Sequence, residues 1–376
     1  MLFGKFGSKI MNKLFNGVYR GKKVLVTGHT GFKGSWLSLW LNKLGAEVIG
    51  YAIDVPTQPN HFELLNLGIT SIMGDVLDKE KIFKTIEAQQ PDIVFHLAAQ
   101  SLVRKSYRKP IETIETNIMG TANILESCRK NKHVKAIVII TSDKCYQNRE
   151  WARGYKETDA LGGDDPYSAS KGSADLIAAA YRQSFFNLNE YGKSHTTLLA
   201  TARAGNVIGG GDWAADRLIP DIMRAADKNE AVIIRNPHAT RPWQHVLEPL
   251  SGYLQLGWKL LSGKKEFSDN WNFGPPDGSV LAVLQVIAQA KQQWDKINYE
   301  IKENFADFHE AKLLKLDSTK ARERLKWKNV WDSKKTSKKT IDWYKNYYQN
   351  AKVVSDQDLH NYIQDAKQLS IEWANI

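Results

Sequence analysis

The 376-residue sequence predicts an α/β fold with a doubly wound parallel sheet. From Lys23 onward, short β-branched apolar runs alternate with longer segments whose apolar residues recur at helical spacing. Parallel strands need such crossover segments, and helices on both faces would bury the sheet completely. The polar and glycine-rich stretches that could carry chemistry each follow one of these runs. In a doubly wound sheet such positions are the carboxyl ends of strands, where ligands bind.

The alternation predicts six strands and four main helices in its first two hundred residues. The predicted strands are Val24–Thr27, Val48–Ile53, Ile69–Met73, Ile93–Leu97, Ala136–Thr141 and Thr197–Ala202. The predicted amphipathic helices are Ser35–Leu44, Lys79–Gln89, Ile111–Lys130 and Ser168–Phe186. After about Asn206 the alternation weakens and the chain becomes richer in Trp, Pro and Asn. We expect this part to form a smaller region that closes over the sheet edge.

Composition narrows the class of protein. With 42% hydrophobic residues, a chain of this length can bury a large core as one or two domains. Two cysteines, Cys128 and Cys145, are too few for a disulfide framework, and no Cys/His spacing is typical of zinc, so no metal is expected. No apolar run reaches the roughly 20 residues of a membrane span, and the N-terminus has no cleavable signal pattern. We therefore expect a cytoplasmic protein.

The net charge of +11 raises the question of an acidic partner. The basic residues are scattered apart from clusters near the two ends, and no nucleic-acid-binding signature accompanies them, so no nucleic-acid partner is expected. The first 21 residues place Phe3, Phe6, Ile10, Leu14 and Phe15 among lysines at helix-like spacing. This segment either contacts a membrane surface or a partner, or packs on its own domain, and we favour packing.

A glycine-rich loop follows the first predicted strand. Gly28, Gly31 and Gly34 recur at three-residue spacing and open a helix, whose N-terminus supplies unpaired N–H groups and partial positive charge for a pyrophosphate. Asp54 follows about 20 residues later at the end of the second strand, where it would bind an adenosine ribose and repel a 2′-phosphate. The alternative for Asp54 is a plain loop residue. The pattern predicts NAD rather than NADP, although Lys33 could contact either a pyrophosphate or a 2′-phosphate.

Two more strand ends complete the predicted cofactor site. The third would flank adenine, and the small residues after the fourth would admit the nicotinamide ribose, although each taken alone is also common in strand-end packing. The predicted cofactor-binding residues are Gly28, Thr30, Gly31, Phe32, Lys33, Gly34, Asp54, Asp75, Val76, Leu97, Ala98, Ala99, Tyr167 and Lys171.

Tyr167 and Lys171 lie four residues apart on a predicted helix, so their side chains share a face. A free tyrosine has a pKa of about 10, and a neighbouring ammonium favours the phenolate. We expect Lys171 and a positively charged nicotinamide to lower the pKa of Tyr167. Tyr167 would then take a proton from a substrate hydroxyl as hydride leaves. This pair often arises by chance on an ordinary helix face, and the upstream glycines favour the catalytic interpretation.

The tripeptide Ser142-Asp143-Lys144 closes the apolar run that ends at Thr141. It adds a carboxyl and an amine to the sheet edge that holds the Tyr/Lys pair. A dehydrogenase does not need these groups, whereas the elimination of water needs an acid and a base. The triplet therefore predicts a dehydratase, with a strand-end salt bridge as the alternative.

With these residues in place, the chain resembles the extended short-chain dehydrogenase/reductase family, and within it the nucleotide-sugar 4,6-dehydratases. The resemblance runs from about residue 20 to about 348. The motifs that carry it are Thr27–Trp40, Thr141–Tyr146, Pro166–Lys171, Arg203–Trp213, Arg241–His245 and Trp271–Gly274. It implies a Rossmann-like domain with a smaller C-terminal substrate-binding region.

The resemblance also implies a reaction. CDP-D-glucose is oxidised at C4, loses water across C5 and C6, and is reduced at C6 to a 4-keto-6-deoxy sugar for surface-polysaccharide biosynthesis. Ser142 would bond the 4-oxygen, while Asp143 and Lys144, assigned jointly, would protonate the 6-hydroxyl and deprotonate C5. A glutamate stands at the Lys144 position in thymidine-diphosphoglucose dehydratases, so the lysine matches the cytidine-diphosphate branch. Another nucleotide base, a 4-epimerase and a non-catalytic dinucleotide sensor are the alternatives.

The resemblance further implies substrate contacts and an assembly. Arg241 matches the position that clamps the nucleotide diphosphate, and the other expected substrate residues are Arg104, Asn117, Asn206 and Arg217. For Arg217 a surface-helix role is an equal alternative. Family members pair through two helices each, which implies a homodimer seam on Ile111–Lys130 and Ser168–Phe186.

Taken together, the predicted organisation has four parts. They are a basic extension at 1–20, an NAD-binding domain at 21–205 to which later segments return, a mainly nucleotide-sugar-binding region at 206–348, and a tail at 349–376.

Overall fold

The computed structural model describes residues 11–276, 280–302 and 313–375. Its strands are β1 Lys23–Thr27, β2 Glu47–Ala52, β3 Thr70–Met73, β4 Ile93–His96, β5 Ala136–Ile140, β6 Leu198–Ala204, β7 Val207–Ile208, β8 Ala231–Ile234, β9 Thr240–Pro242, β10 Gln244–His245, β11 Asn270–Phe273, β12 Val280–Ala282 and β13 Asn298–Ile301. Its α-helices span Phe32–Lys43, His61–Leu65, Lys79–Gln89, Val103–Arg108, Pro110–Ile114, Gly120–Lys130, Pro166–Ser184, Leu218–Asp227, Leu247–Leu261, Val283–Gln293, Thr319–Arg324, Ser333–Asn350 and Ser355–Gln368.

A seven-stranded sheet forms the centre of the molecule, in the order β11-β6-β5-β4-β1-β2-β3 with every neighbouring pair parallel. Successive residues of one strand enter different cores, because side chains alternate between the faces of a sheet. Val24 and Val26 join one hydrophobic cluster, and Leu25 joins the other. Helices therefore cover both faces, and the predicted doubly wound fold is confirmed.

The expected six-strand sheet was one strand short. Asn270–Phe273, which we placed in the smaller region, returns to the sheet as β11 and pairs with β6. The segment reads Asn-Trp-Asn-Phe, which lacks the β-branched signal that marks the other strands. Pairing with the open edge of β6 decided its conformation.

The predicted helix Ile111–Lys130 is interrupted by one π-helical turn, Glu115–Met119. The backbone N–H of Gly120 bonds to the carbonyl of Glu115, five residues earlier. Such turns occur often near functional sites. Here the turn contains Asn117, which is buried beneath the loop after β4.

The first described residues pack against the last ones. Phe15 stacks on Trp373 with ring centroids 5.0 Å apart, and Leu14 and Tyr19 are buried in the same cluster. Residues 11–20 thus pack on their own domain, whereas Phe3, Phe6 and Ile10 lie outside the described residues. Within the described ranges, no helix combines the length and apolar character needed to cross a membrane.

Candidate active site

The glycine loop folds tightly against the end of β4. Gly28 has φ +72, and a Cβ there would lie 2.8 Å from the backbone nitrogen of Ala98. A Cβ on Gly34 would lie 2.0 Å from the carbonyl oxygen of Gly28. Gly31 precedes the helix Phe32–Lys43 and has no side chain to cap its first N–H groups. The loop therefore offers a close backbone surface and a helix N-terminus, both of which suit a pyrophosphate.

The ends of β2 and β3 border this loop. Thr30 Oγ1 donates a hydrogen bond to the carbonyl of Asp54 at 2.7 Å, while the Asp54 side chain is exposed. The Asp75 carboxylate accepts the N–H of Leu77 at 2.9 Å, so it shapes the turn after β3. Val76 is buried. An exposed carboxylate at Asp54 fits the predicted ribose contact.

A buried threonine fixes the loop after β4. Thr27 Oγ1 lies 2.7 Å from His96 Nδ1 and accepts the N–H groups of Leu97 and Ala98, each at 3.2 Å. Burial lowers the pKa of His96 to about 3, with the Lys171 ammonium adding to the effect. His96 is therefore neutral, and it contacts the threonine that binds this loop. Leu97, Ala98 and Ala99 are half-buried at the edge of the site.

Tyr167 and Lys171, which we call the redox pair, lie in the first two turns of the helix Pro166–Ser184. Asp165 caps this helix by accepting the N–H of Ser168 at 3.0 Å. Tyr167 and Lys171 are both buried, and Lys171 Nζ donates to the carbonyl of Ile140 at 3.3 Å. Burial lowers the pKa of Lys171 to about 8, and the Asp175 carboxylate opposes this. The helix places both side chains at the end of β5, as the four-residue spacing predicted.

The pKa of Tyr167 differs from our expectation. Burial raises it to about 12; hydrogen bonding from Ser142 opposes this rise, Asp143 adds to it, and Arg217 opposes it. Burial outweighs the other effects because the phenol is enclosed, and the Lys171 ammonium is engaged with Ile140. The surrounding protein alone does not stabilise the phenolate.

Ser142 caps a 3₁₀ turn, Asp143–Cys145, that follows β5 and contains the other two residues of the triplet. Ser142 Oγ donates to Asp143 Oδ1 at 3.0 Å and accepts the N–H of Lys144 at 3.2 Å. Burial raises the pKa of Asp143, against the opposing effects of Lys144, Ser142 and Lys33. A Cβ on Gly205 would lie 3.1 Å from Asp143 Oδ2, so β6 ends in a small residue beside this carboxyl. Asp143 therefore binds its proton more tightly than a free aspartic acid does.

Two cationic side chains interact electrostatically with these groups: Lys33 with Asp143, and Arg217 with Tyr167. Burial lowers the pKa of Lys33 to about 8, with smaller effects from Arg217, Asp143 and Lys171. Lys33 therefore interacts electrostatically with the acid and base groups, which its assignment to the cofactor did not anticipate. Arg217 donates to Asp212 Oδ2 at 2.8 Å and to Ser101 Oγ at 3.3 Å, and Asp212 holds its pKa above the usual value. These contacts hold Arg217, the residue before the helix Leu218–Asp227, against the segment that follows β4.

The other predicted substrate residues lie on separate segments of the chain. Arg104 forms an ion pair with Asp216 at 3.5 Å, one residue before Arg217. Asn206 follows β6, and its carbonyl accepts the N–H of Gln244. Arg241 lies in β9 and donates to the carbonyl of Thr240 at 2.9 Å. Their contacts with substrate remain predictions.

The side-chain amide of Asn117 forms hydrogen bonds with two separate segments of the protein. Its Nδ2 donates to the carbonyl of Gln100 at 3.0 Å and to Ser170 Oγ at 2.8 Å, and its Oδ1 accepts the N–H of Gln100 at 2.8 Å. It is 1% exposed. Asn117 therefore ties the loop after β4 to the Tyr167 helix, and the predicted sugar contact stays a prediction.

Asp175 and Arg203 were not predicted as site residues. Arg203 donates to both carboxylate oxygens of Asp175, at 2.8 and 2.9 Å, directly behind the triplet. The sequence held a signal for each of them. Arg203 is a charge within the buried strand Leu198–Ala204, and Asp175 lies one helical turn after Lys171.

The described residues contain no cluster of three or more His, Cys, Asp or Glu side chains suited to a metal ion.

Known proteins are similar to this chain in sequence and in fold. Residues 25–340 match the model of a family described as GDP-mannose 4,6 dehydratase. The chain is 49% identical to CDP-glucose 4,6-dehydratase of Salmonella typhimurium over 349 residues, covering 92% of this chain and 97% of that protein. Among solved structures, epimerase Mth375 of Methanothermobacter thermautotrophicus has a TM-score of 0.77 at 23% identity, covering 90% of this chain and 96% of its own.

UDP-glucose 4-epimerase of Thermus thermophilus, solved in complex with NAD, has a TM-score of 0.72 at 21% identity, covering 88% of this chain and 100% of its own. At these identities the solved structures support the fold. The family match extends over most of the chain and includes the glycine loop, the triplet and the Tyr/Lys pair. The chain therefore belongs to the GDP-mannose 4,6 dehydratase family, within the extended short-chain dehydrogenases/reductases.

Proposed function

We propose that this protein converts CDP-D-glucose to CDP-4-keto-6-deoxyglucose and water, as a NAD-dependent hydro-lyase. The observation that carries the proposal is the placement of buried Ser142 and Asp143 and half-buried Lys144 near Tyr167 and Lys171. It adds an acid and a base to a redox pair, and these are the groups that distinguish dehydration from oxidation or epimerisation. The extensive identity to the Salmonella CDP-glucose 4,6-dehydratase supports the choice of cytidine diphosphate.

NAD suits the loops at the strand ends. The glycine loop and the free N-terminus of the helix Phe32–Lys43 would hold the pyrophosphate, and Asp54 would bind the adenosine ribose. Bound NAD supplies a hydride acceptor for C4 and a hydride donor for C6, so it is regenerated in each turnover. Lys33 interacts electrostatically with Asp143, and its ammonium would neutralise negative charge between cofactor and substrate.

Tyr167 would remove the proton from the 4-hydroxyl. Because burial raises its pKa to about 12, the phenolate needs additional positive charge. An oxidised nicotinamide carries a positive charge, Arg217 already acts in the same direction, and Ser142 can donate a hydrogen bond to the phenolate or to the 4-oxygen. Tyr167 would therefore become a base in the loaded site.

The elimination would use Asp143 and Lys144. Once C4 is a ketone, the proton on C5 is acidic, because the electron pair left on C5 delocalises onto the 4-oxygen. Lys144 would take this proton and Asp143 would give one to the leaving 6-hydroxyl, so one water is released. Lys144 would return its proton to C5 when hydride is delivered to C6, and the proton that Tyr167 took from the 4-hydroxyl balances the one that Asp143 gave up. Burial favours the protonated form of Asp143, as this role requires. We assign the two residues jointly, because interacting groups share their titration.

Cationic side chains would bind the anionic half of the substrate. Arg241 and Arg217 have planar guanidinium groups that can bind phosphate oxygens through two parallel hydrogen bonds. Arg104 and Asn206 lie near Arg217 and β7 and would complete this part of the site. These roles rest on the family resemblance and on the position of Arg217 beside Tyr167.

Product formation from different nucleotide sugars tests the function. The protein is incubated with CDP-, dTDP-, UDP- and GDP-glucose, and the 4-keto sugar is detected by its alkali-induced absorbance. We expect product chiefly from CDP-glucose, with no net accumulation of NADH. Sustained stoichiometric NADH formation, or a C4 epimer as the only product, would contradict the proposal.

We also propose that the protein is a cytoplasmic homodimer that serves deoxysugar synthesis for surface polysaccharide, including lipopolysaccharide. The two predicted seam helices carry exposed apolar side chains. Ile111 is 63% exposed, Met119 51% and Leu176 57%. A face of this kind on a water-exposed surface favours association.

Charge substitution tests the dimer. Leu176→Glu is expected to give a monomer by size-exclusion chromatography with light scattering, because it places a charge in the seam. The matched control is Leu369→Glu, which changes a similarly exposed leucine (52%) away from these helices and should remain dimeric. A dimeric Leu176→Glu protein would rule out this seam.

A further inference from the structure

A buried ion pair lies behind the reaction site. Asp175 and Arg203 have side chains that are each 1% exposed, and their two hydrogen bonds run in parallel. Asp175 belongs to the helix that carries Tyr167 and Lys171, whereas Arg203 belongs to β6. The pair therefore connects the redox helix to the strand beside β5.

The carboxylate of this pair also binds the beginning of the catalytic turn. Thr141 Oγ1 donates to Asp175 Oδ2 at 2.8 Å, and Thr141 immediately precedes Ser142. One residue earlier, the carbonyl of Ile140 accepts from Lys171. Two consecutive residues at the end of β5 are thus bonded to the redox helix, one turn apart on the same face.

The guanidinium of the pair binds the other end of the turn. Arg203 Nη1 donates to the hydroxyl of Tyr146 at 2.6 Å, and the centre of its guanidinium lies 4.9 Å from the centroid of the Tyr146 ring. Tyr146 immediately follows the turn Asp143–Cys145. Its hydroxyl in turn donates to Asn272 in β11 at 2.8 Å.

We propose that the Asp175–Arg203 ion pair is a positioning device that fixes both ends of segment 141–146 relative to Tyr167 and Lys171. We call these two residues, with Thr141 and Tyr146, the clamp. The inference rests on the proposed function, because it explains how the elimination groups stay aligned with the redox pair on the same sugar ring. Catalytic groups must be held within a fraction of an ångström, and buried charged hydrogen bonds supply that rigidity.

Deleting either charge would not test this role. An Asp175 or Arg203 left alone would be an uncompensated buried charge, and the protein would be strongly destabilised for reasons unrelated to catalysis. The two neutral anchors offer a better test. Thr141→Val removes the hydroxyl that reaches Asp175, and Tyr146→Phe removes the hydroxyl that reaches Arg203 while keeping the aromatic ring.

Thr201 supplies a matched control. Its Oγ1 donates to the same carboxylate, at Asp175 Oδ1 and 3.1 Å, and the residue is fully buried. Thr201 lies within β6, and its side-chain contacts are with Asp175 and Asn270, away from the catalytic turn. Thr201→Val therefore removes a comparable buried hydrogen bond without releasing segment 141–146.

The experiment measures steady-state kinetics with CDP-glucose, the midpoint of thermal unfolding, and amide hydrogen exchange of segment 141–146 in all four proteins. We expect Thr141→Val and Tyr146→Phe to lower kcat about tenfold and to speed exchange in the segment, since small misplacements reduce catalysis by such factors. We expect KM to stay within about twofold, because the substrate contacts are unchanged. Thr201→Val should have an unfolding midpoint similar to those of the two anchor variants. Its kcat and the exchange rate of segment 141–146 should stay near those of the wild type.

Two outcomes would contradict the positioning role of the clamp. One is an equal fall in kcat for Thr141→Val and Thr201→Val, and the other is unchanged exchange of segment 141–146 in both anchor variants. A wild-type protein that makes no product from any nucleotide sugar would instead overturn the proposed function. In that case, faster exchange in the anchor variants alone would still support the structural part of the inference.

Discussion

Lys171 donates a hydrogen bond from Nζ to the backbone carbonyl of Ile140 at 3.3 Å. Lys171 belongs to the redox helix, and Ile140 ends the strand from which Ser142-Asp143-Lys144 extends. The bond joins the groups assigned to hydride transfer to the groups assigned to elimination. Because both sets lie at the end of β5, they can act on adjacent carbons of one sugar ring.

Tyr167→Phe is expected to lower dehydration of CDP-glucose by about a thousandfold, because it removes the general base for the 4-hydroxyl. The rate is measured by the absorbance of the 4-keto product. Tyr181→Phe is the control, since Tyr181 belongs to the same helix and its hydroxyl only reaches Glu126 at 3.4 Å. Equal activity of the two variants would remove Tyr167 from the mechanism.

Asp143→Asn is expected to lower dehydration by about a hundredfold, because the amide cannot protonate the leaving hydroxyl. In the wild type, burial raises the pKa of Asp143, so its proton is retained to a higher pH than in free aspartic acid and is lost as pH rises through that value. The wild-type rate should therefore decline on the alkaline side as Asp143 ionises. The variant should lack this decline when the pH dependence of kcat is measured.

An Asp143→Asn protein with the full wild-type rate and an unchanged pH profile would contradict the acid role. Circular dichroism of the variant checks that the fold is intact. Weakened substrate binding with an unchanged kcat would point to a contact role for Asp143 instead.

Gly28→Ala is expected to weaken NAD binding by at least about tenfold. The added Cβ would meet the nitrogen of Ala98 at 2.8 Å, so the glycine loop would have to move away from the end of β4. Gly21→Ala is the control, because Gly21 has a similar φ of +69 and nothing within 4 Å of its Cβ position. Titration of the purified proteins with NAD measures the difference.

Both variants place alanine in a left-handed conformation and should lose about 1 kcal/mol of stability from backbone strain. Only Gly28→Ala should lose cofactor affinity. Equal affinity for NAD in the two variants would show that the close contact with Ala98 does not shape the cofactor site.

Stability should increase as pH rises toward 6.5. Burial lowers the pKa of His29 to about 4 and of His61, His96 and His245 to about 3. Below pH 6.5 the unfolded chain binds more protons at these residues than the folded protein does, so the free energy of unfolding rises with pH. This stabilisation is complete above pH 6.5 and is lost as pH falls toward 3.

Buried carboxyls act in the opposite direction. Burial raises the pKa of Glu248 to about 7 and that of Asp358 to about 6, and it also raises the pKa values of Asp143, Glu157 and Asp221. The contribution of each carboxyl to stability is present at low pH and declines as pH rises through its pKa. The four histidines outweigh Glu248 and Asp358 below pH 6, because the histidine pKa values are displaced at least as far and there are twice as many of them.

Urea unfolding across pH 4 to 7 measures the net effect. His61→Gln should reduce the uptake of protons on unfolding by about one near pH 5, because one buried imidazole is removed. The wild-type protein is the reference for this slope. A slope in His61→Gln identical to that of the wild type would contradict the assigned role of His61.

The sequence by itself determined the periodic features of this protein. Its β-branched runs specified the doubly wound sheet, and its glycine spacing specified the tight turn between β1 and the helix that follows. The four-residue spacing placed Tyr167 and Lys171 on one face of a helix. These features depend on local periodicity and on backbone conformations that few residues can adopt, so they can be read from neighbours along the chain.

Tertiary structure decided what depends on contacts between distant segments. Asn270–Phe273 became a strand because β6 offered an open edge, and Arg203 reached Asp175 across 28 residues of chain. Burial also raises the pKa of Tyr167 in the protein alone, since enclosure in the fold outweighs the neighbouring charges. A linear sequence does not contain the distances or the degree of burial on which these outcomes depend.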